Sequence, residues 1–117
     1  MFNILIVEDD QTIRRLLTKS LKSWGYAVTS AGNGKLALQL IEQGLGADLV
    51  ILDFNLPCMK GTELLAHVKD LPVILMTGLD RITAEQKARH HPRLCLLLKP
   101  FRLGDLREKV RSMLSAA

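Results

Sequence analysis

The stretch Asp48-Leu49-Val50-Ile51-Leu52-Asp53-Phe54-Asn55-Leu56-Pro57 constrains the chain more than any other. Four aliphatic residues in a row, bounded by turn formers, read as a strand buried on both faces. A strand of that kind belongs in a parallel sheet covered by helices above and below. The run ends on one carboxylate, Asp53, and Pro57 forbids simple continuation of the strand. Ligands bind at the C-terminal edge of an open parallel sheet, so an Asp there is a charge presented to chemistry. Capping of the next loop is the alternative, and this stretch alone leaves it open.

The rest of the chain repeats the pattern. Asn3 to Val7 is a first strand, and Ile13, Leu16, Leu17, Leu21 and Trp24 then share one helix face. Gly25 suits a left-handed C-terminal cap. Tyr26 to Ser30 is the second strand and Asn33-Gly34 a turn, after which Ala37, Leu40 and Ile41 line a helix ending near Gly44 to Gly46. Gly61 precedes a third helix carrying Leu64, Leu65 and Val68, and Pro72 to Met76 is the fourth strand. Arg81 to His91 is the weakest helix, with only Ile82, Ala84 and Ala88 to bury. Leu94 to Leu98 is the fifth strand, and a last helix turns Leu103, Leu106, Val110 and Leu114 inward. Strands alternating with helices imply a parallel sheet with right-handed crossovers.

At 117 residues, 48% of them apolar, the chain is read as one domain spanning residues 1–117, without linker or low-complexity tract. No apolar run approaches the ~20 residues needed to cross a bilayer. Met1-Phe2-Asn3-Ile4 lacks the basic start of a signal peptide, so a soluble cytoplasmic protein is expected. Cys58 and Cys95 form no metal pattern and read as reduced thiols. His67, His90 and His91 read as solvated, Met59 and Met76 as packing residues. Up to Thr77 there are seven Lys and Arg against eight Asp and Glu; from Gly78 onward there are nine against four. The basic excess thus belongs to the last third and suggests an acidic partner or a steered encounter. Arg107, Lys109 and Arg111 on the last helix read as a solvated face. Direct nucleic-acid binding is not expected, because no aromatic interleaving or reading motif accompanies the charge.

Glu8, Asp9 and Asp10 follow the first strand, Asp53 ends the third, Thr77 ends the fourth, and Lys99 follows the fifth before Pro100. In a parallel sheet these positions share one edge, and strands one, three and five lie close when the order is 2-1-3-4-5. Facing carboxylates repel unless a cation sits between them, and hard oxygen donors without His or Cys favour Mg²⁺. Asp10, just before Gln11-Thr12-Ile13, reads as the cap of the first helix. Acids with a metal, a lysine and a hydroxyl describe a site for a phosphoryl group.

Four ordered motifs sharpen this: Ile4-Leu5-Ile6-Val7-Glu8-Asp9-Asp10, Leu52-Asp53 through Lys60-Gly61, Met76-Thr77-Gly78 and Lys99-Pro100-Phe101. Over essentially its whole length the chain resembles the receiver domains of two-component response regulators. That resemblance implies a flavodoxin-like (βα)5 sandwich and a phosphoacceptor that catalyses only its own aspartyl phosphorylation and dephosphorylation. Asp53 would take a phosphoryl group from a sensor histidine kinase or a histidine phosphotransfer protein. Glu8, Asp9, Asp53 and the backbone carbonyl of Asn55 would hold Mg²⁺, Lys99 would pair with the phosphoryl oxygens, and Thr77 would move to hydrogen-bond them. The switched surface would act on a downstream effector or a C-terminal output domain. It could also form a homodimer through the fourth helix, the fifth strand and the fifth helix.

Two departures stand out. Receivers commonly carry Tyr or Phe three residues before the lysine, where this chain has Leu96, and Lys60 stands where Asp or Asn is frequent. Leu96 motivates an alternative, a phosphate-independent interaction module with an uncoupled switch. A phosphatase of the haloacid-dehalogenase type fits poorly, since the general acid it needs two residues after the nucleophile is here Asn55.

Overall fold

Five parallel strands cross the molecule: β1 (Asn3–Val7), β2 (Ala27–Ala31), β3 (Leu49–Asp53), β4 (Val73–Thr77) and β5 (Leu94–Leu98). They lie in the order β2-β1-β3-β4-β5, the order the sequence implied. The computed structural model describes residues 1–56, 61–78, 82, 85, 86, 89 and 91–115. Four helices fall within these: α1 (Gln11–Ser23), α2 (Gly34–Glu42), α3 (Gly61–Leu65) and α4 (Leu103–Ser115). The helix expected over Arg81 to His91 lies mostly outside the described residues, as do Pro57, Cys58, Met59, Lys60 and His90.

Alternation along the central strands divides the core in two. Leu5, Val7, Val50, Leu52, Val73 and Leu75 point to one face, where Ala37 of α2 and Leu64 and Leu65 of α3 cover them. Ile4, Ile6, Leu49, Ile51, Ile74 and Met76 point to the other, beneath Leu17 and Leu21 of α1 and Leu106 and Val110 of α4. All five residues of β3 and of β4 are buried, which explains why both read as unbroken aliphatic runs.

Helix ends follow local chemistry. Asp10 caps α1 as expected, its Oδ1 accepting from the Ile13 N–H at 3.0 Å. Asn33 does more than make a turn: its Oδ1 accepts from the Leu36 N–H at 2.8 Å and starts α2. Gly25 and Gly44 take the left-handed conformation just after α1 and α2, at φ +96 and +93.

Several expectations need correction. β2 and β4 each begin and end one residue later than the sequence suggested, and α3 begins at Gly61 rather than after it. Leu16 is 50% exposed, because the seam of α1 is Ile13, Leu17, Leu21 and Trp24, and Leu16 lies about 100° off it. Leu103 is exposed at the first turn of α4, while Leu114 keeps its inward position. His91 is half-buried rather than solvated. Its Nε2 donates to the Val68 carbonyl at 2.9 Å and its Nδ1 accepts from the Arg93 N–H at 3.1 Å. Arg107 places its guanidinium 5.6 Å from the centre of the Trp24 ring, so it ties α4 to the end of α1 instead of standing free.

Candidate functional site

Parallel pairing carries each strand's C-terminal residue to the same edge. Val7 pairs with Leu52, Asp53 with Met76, and Thr77 with Leu98. The pairing runs one step further on both sides: the Glu8 N–H donates to the Ala31 carbonyl at 3.1 Å and the Lys99 N–H to the Thr77 carbonyl at 2.8 Å. Asp53 and Thr77 are therefore held within the sheet, and Glu8 and Lys99 are tied to it through their backbone N–H groups. The Lys99–Pro100 peptide bond is cis.

The carboxylates of Glu8, Asp9 and Asp53 converge, with one oxygen of each within 4.8 Å of the others. Glu8 and Asp53 are buried, at 1% and 5% exposure, whereas Asp9 faces solvent. Lys99 Nζ lies 3.4 Å from Glu8 Oε2 and 3.4 Å from Asp53 Oδ2, bridging the two buried acids. Backbone donors complete the set: the Asp10 N–H reaches Glu8 Oε1 at 3.1 Å, and the Asn55 N–H reaches Asp53 Oδ1 at 3.1 Å. Burial is the main reason the Glu8 carboxyl is pushed up to about 7, and the neighbouring Asp53 pushes the same way. The Asp10 N–H and Lys99 oppose it.

Three hard oxygen donors, two of them out of water and one open to it, match what a divalent cation with retained waters requires. Excess negative charge at the site, which Lys99 only partly offsets, is what a cation would neutralise. The donor set thus fits Mg²⁺. Asp53 has one carboxylate oxygen on the Asn55 N–H and the other toward Lys99, so its geometry is fixed before any substrate arrives.

The site residues read from the sequence all reach this edge. Asn55 follows Asp53 with an exposed side chain, and Thr77 is buried at the end of β4. Two features were not foreseen. Lys99 bridges the acids themselves, and Arg14 of α1 donates from Nη1 to the Glu8 carbonyl at 2.9 Å. A strand-end motif does not disclose a helix side chain that folds back onto a loop backbone. Gly32, packed against that guanidinium, is the only hint of it in the sequence.

Comparison with known proteins agrees with the fold. The family model described as the response regulator receiver domain matches residues 4–111. The two-component response regulator ARR11 of Arabidopsis thaliana is 41% identical over 108 residues, which are 89% of this chain and 21% of that protein. The chain thus spans about a fifth of the length of that plant regulator. Sporulation initiation phosphotransferase F of Bacillus subtilis is 34% identical over 115 residues, covering 95% of this chain and 92% of its own. Among solved structures, the response regulator protein TrrA from Thermotoga maritima in complex with Mg(2+)-BeF superposes with a TM-score of 0.83 at 32% identity, covering 97% of this chain and 99% of that one. No helix among the described residues is long and apolar enough to cross a membrane. With its sheet order, its acidic triad and this likeness in sequence, the chain belongs to the response regulator receiver domain family.

Proposed function

We propose that Asp53 is the phosphoacceptor of a Mg²⁺-dependent switch, charged by a phosphohistidine on a sensor kinase or phosphotransfer protein. The observation that carries this reading is the placement of Asp53: a buried carboxylate at a strand end, 3.4 Å from Lys99 and beside the carboxylates of Glu8 and Asp9. In the reaction an Asp53 oxygen attacks phosphorus, the phosphorus–nitrogen bond to imidazole breaks, and the departing imidazole takes a proton from solvent. Glu8, Asp9, Asp53 and the Asn55 carbonyl would hold Mg²⁺, which when bound supplies positive charge for the phosphoryl oxygens. Lys99 would pair with the same oxygens, and the Thr77 hydroxyl would hydrogen-bond them from the end of β4. Attack of water on the phosphorus of the acyl phosphate would break its bond to the Asp53 oxygen, release inorganic phosphate and restore the carboxylate, so the chain would also dephosphorylate itself.

The added charge biases the surface around β5 and α4. A groove of about 830 Å³ there is lined by Leu96, Leu98, Phe101 and Lys109, and a downstream effector, an output domain or a second copy is the proposed occupant. The phosphate-independent alternative is not favoured, since none of the phosphorylation residues is missing and all gather at one edge. Leu96 pairs with Leu75 in the sheet and packs on the α2–α3 side of the core, so any coupling to Thr77 runs through aliphatic packing. The expected location is the cytoplasm, where kinase transmitters act.

Intact-mass analysis after acetyl phosphate treatment tests the reading. A phosphoryl adduct that needs Mg²⁺ and vanishes in Asp53→Asn supports it. A folded Asp53→Asn protein that takes up phosphate at the wild-type rate would show that the acceptor lies elsewhere.

A further inference from the structure

Arg14 stands one turn beyond the Asp10 cap, and its side chain folds back toward the N-terminus of α1. Its Nη1 donates to the Glu8 carbonyl at 2.9 Å and, at 3.5 Å, to the carbonyl of Asp9. One guanidinium thus addresses two consecutive carbonyls of the acidic loop. Between β2 and α2, Gly32 makes room for it: a Cβ there would stand 3.2 Å from Nη1 and 3.6 Å from Cζ. On its other side the Glu8 peptide is held by the bond from its N–H to the Ala31 carbonyl at 3.1 Å.

The acidic loop has reason to need such a hold. Glu8 is buried and Asp9 exposed, yet their carboxylates must converge with that of Asp53 against mutual repulsion. A loop free to relax would separate them and would have to be reordered by each cation that binds. We propose that Arg14, seated against Gly32, is a positioning residue that holds the Glu8–Asp9 backbone in its cation-ready form. The inference rests on the metal-dependent phosphoacceptor reading. Arg14 touches neither metal nor phosphoryl group; it acts through the loop, as residues behind metal ligands do.

The test is Mg²⁺ titration by calorimetry of the folded wild type, Arg14→Ala, Arg14→Lys, Gly32→Val and the Arg14→Ala/Gly32→Val double variant. Phosphorylation by acetyl phosphate is followed in parallel across Mg²⁺ concentrations. Arg14→Ala is expected to weaken Mg²⁺ binding roughly tenfold. At saturating Mg²⁺ its phosphorylation rate should return to within about twofold of wild type, the mark of a lost affinity rather than a lost chemical step. Arg14→Lys should recover part of the affinity, because an ammonium can donate to the same carbonyls but lacks the planar group that seats against Gly32. Gly32→Val should weaken Mg²⁺ in the wild-type background and add nothing when Arg14 is already absent. Should Arg14→Ala fail to fold, Arg14→Lys and Gly32→Val decide the matter by the same readouts. Unchanged Mg²⁺ affinity in folded Arg14 variants, or a rate deficit that persists at saturating Mg²⁺, overturns the proposal. A wild type that binds no Mg²⁺ overturns the phosphoacceptor reading as well, and the two failures are thereby distinct.

Discussion

Glu8 and Lys99 set the electrostatics of the site at the scale of single residues. The folded chain holds a proton on Glu8 up to about pH 7, while the unfolded chain releases it near the ordinary 4.5. Between those values the folded state binds more protons, so stability falls as pH rises through the window and is flat, for this group, below it. Each pH unit between the two values is worth ~1.4 kcal/mol, so metal-free protein should lose about 3 kcal/mol of stability relative to Glu8→Gln from the lower end of the window to the upper. Urea unfolding of both proteins across that range measures it, and a parallel pH dependence in the two would refute the assignment. Mg²⁺ competes with that proton, so its affinity should rise over the same window. Lys99→Ala removes the ammonium that bridges Glu8 and Asp53. It should leave Mg²⁺ binding largely intact and slow phosphorylation, and loss of metal binding in that variant would contradict the role given to Lys99.

Within the elements, the periodicity of the chain foretold more than its ends and clasps. Four aliphatic runs and one stretch of strand formers, Tyr26 to Ser30, were enough to give a parallel sheet, and the residue types at the strand ends pointed to the candidate site. Leu16 was misplaced because four leucine or isoleucine positions compete for a narrow seam, and only packing against Ile4 and Ile6 decides which of them face inward. His91 and Arg107 were misread for a related reason. Their partners, Val68 and Trp24, are distant in sequence, and neither the clasp nor the ring contact has a local signature. Asn33 can be tested apart from the chemistry. Asn33→Ala removes the cap of α2 and should cost about 1 kcal/mol in denaturant unfolding. Mg²⁺ affinity should stay unchanged, because α2 contributes no site residue. A joint loss of stability and metal binding would mean that the α2 cap and the acidic edge are more tightly linked than the contacts indicate.

For the molecule as a whole, charge distribution matters more than the net value of +4. The basic excess of the last third was legible from composition, but a second concentration was hidden by averaging over the first two thirds. Helix α1 contains no acidic residue and lines, with Arg14, Arg15, Lys19, Lys22, Thr18 and Ser30, an open groove of about 460 Å³. An acidic donor would be steered toward this side, so transfer from a protein phosphohistidine should slow roughly tenfold between low and physiological salt, while acetyl phosphate should respond far less. Arg15→Glu with Lys19→Glu should reproduce the slowing at low salt. Equal salt dependence for both donors would remove the case for steering. The most direct measurement for the whole scheme is to locate the acyl phosphate itself. Protein treated with acetyl phosphate and Mg²⁺ is reduced with borohydride, which converts an aspartyl phosphate to homoserine, and the product is mapped by tandem mass spectrometry. Homoserine at position 53 alone, lost when EDTA is present, is the expected result. Homoserine at another aspartate, none at all in folded protein, or a yield indifferent to EDTA would contradict the assignment of Asp53 and its metal.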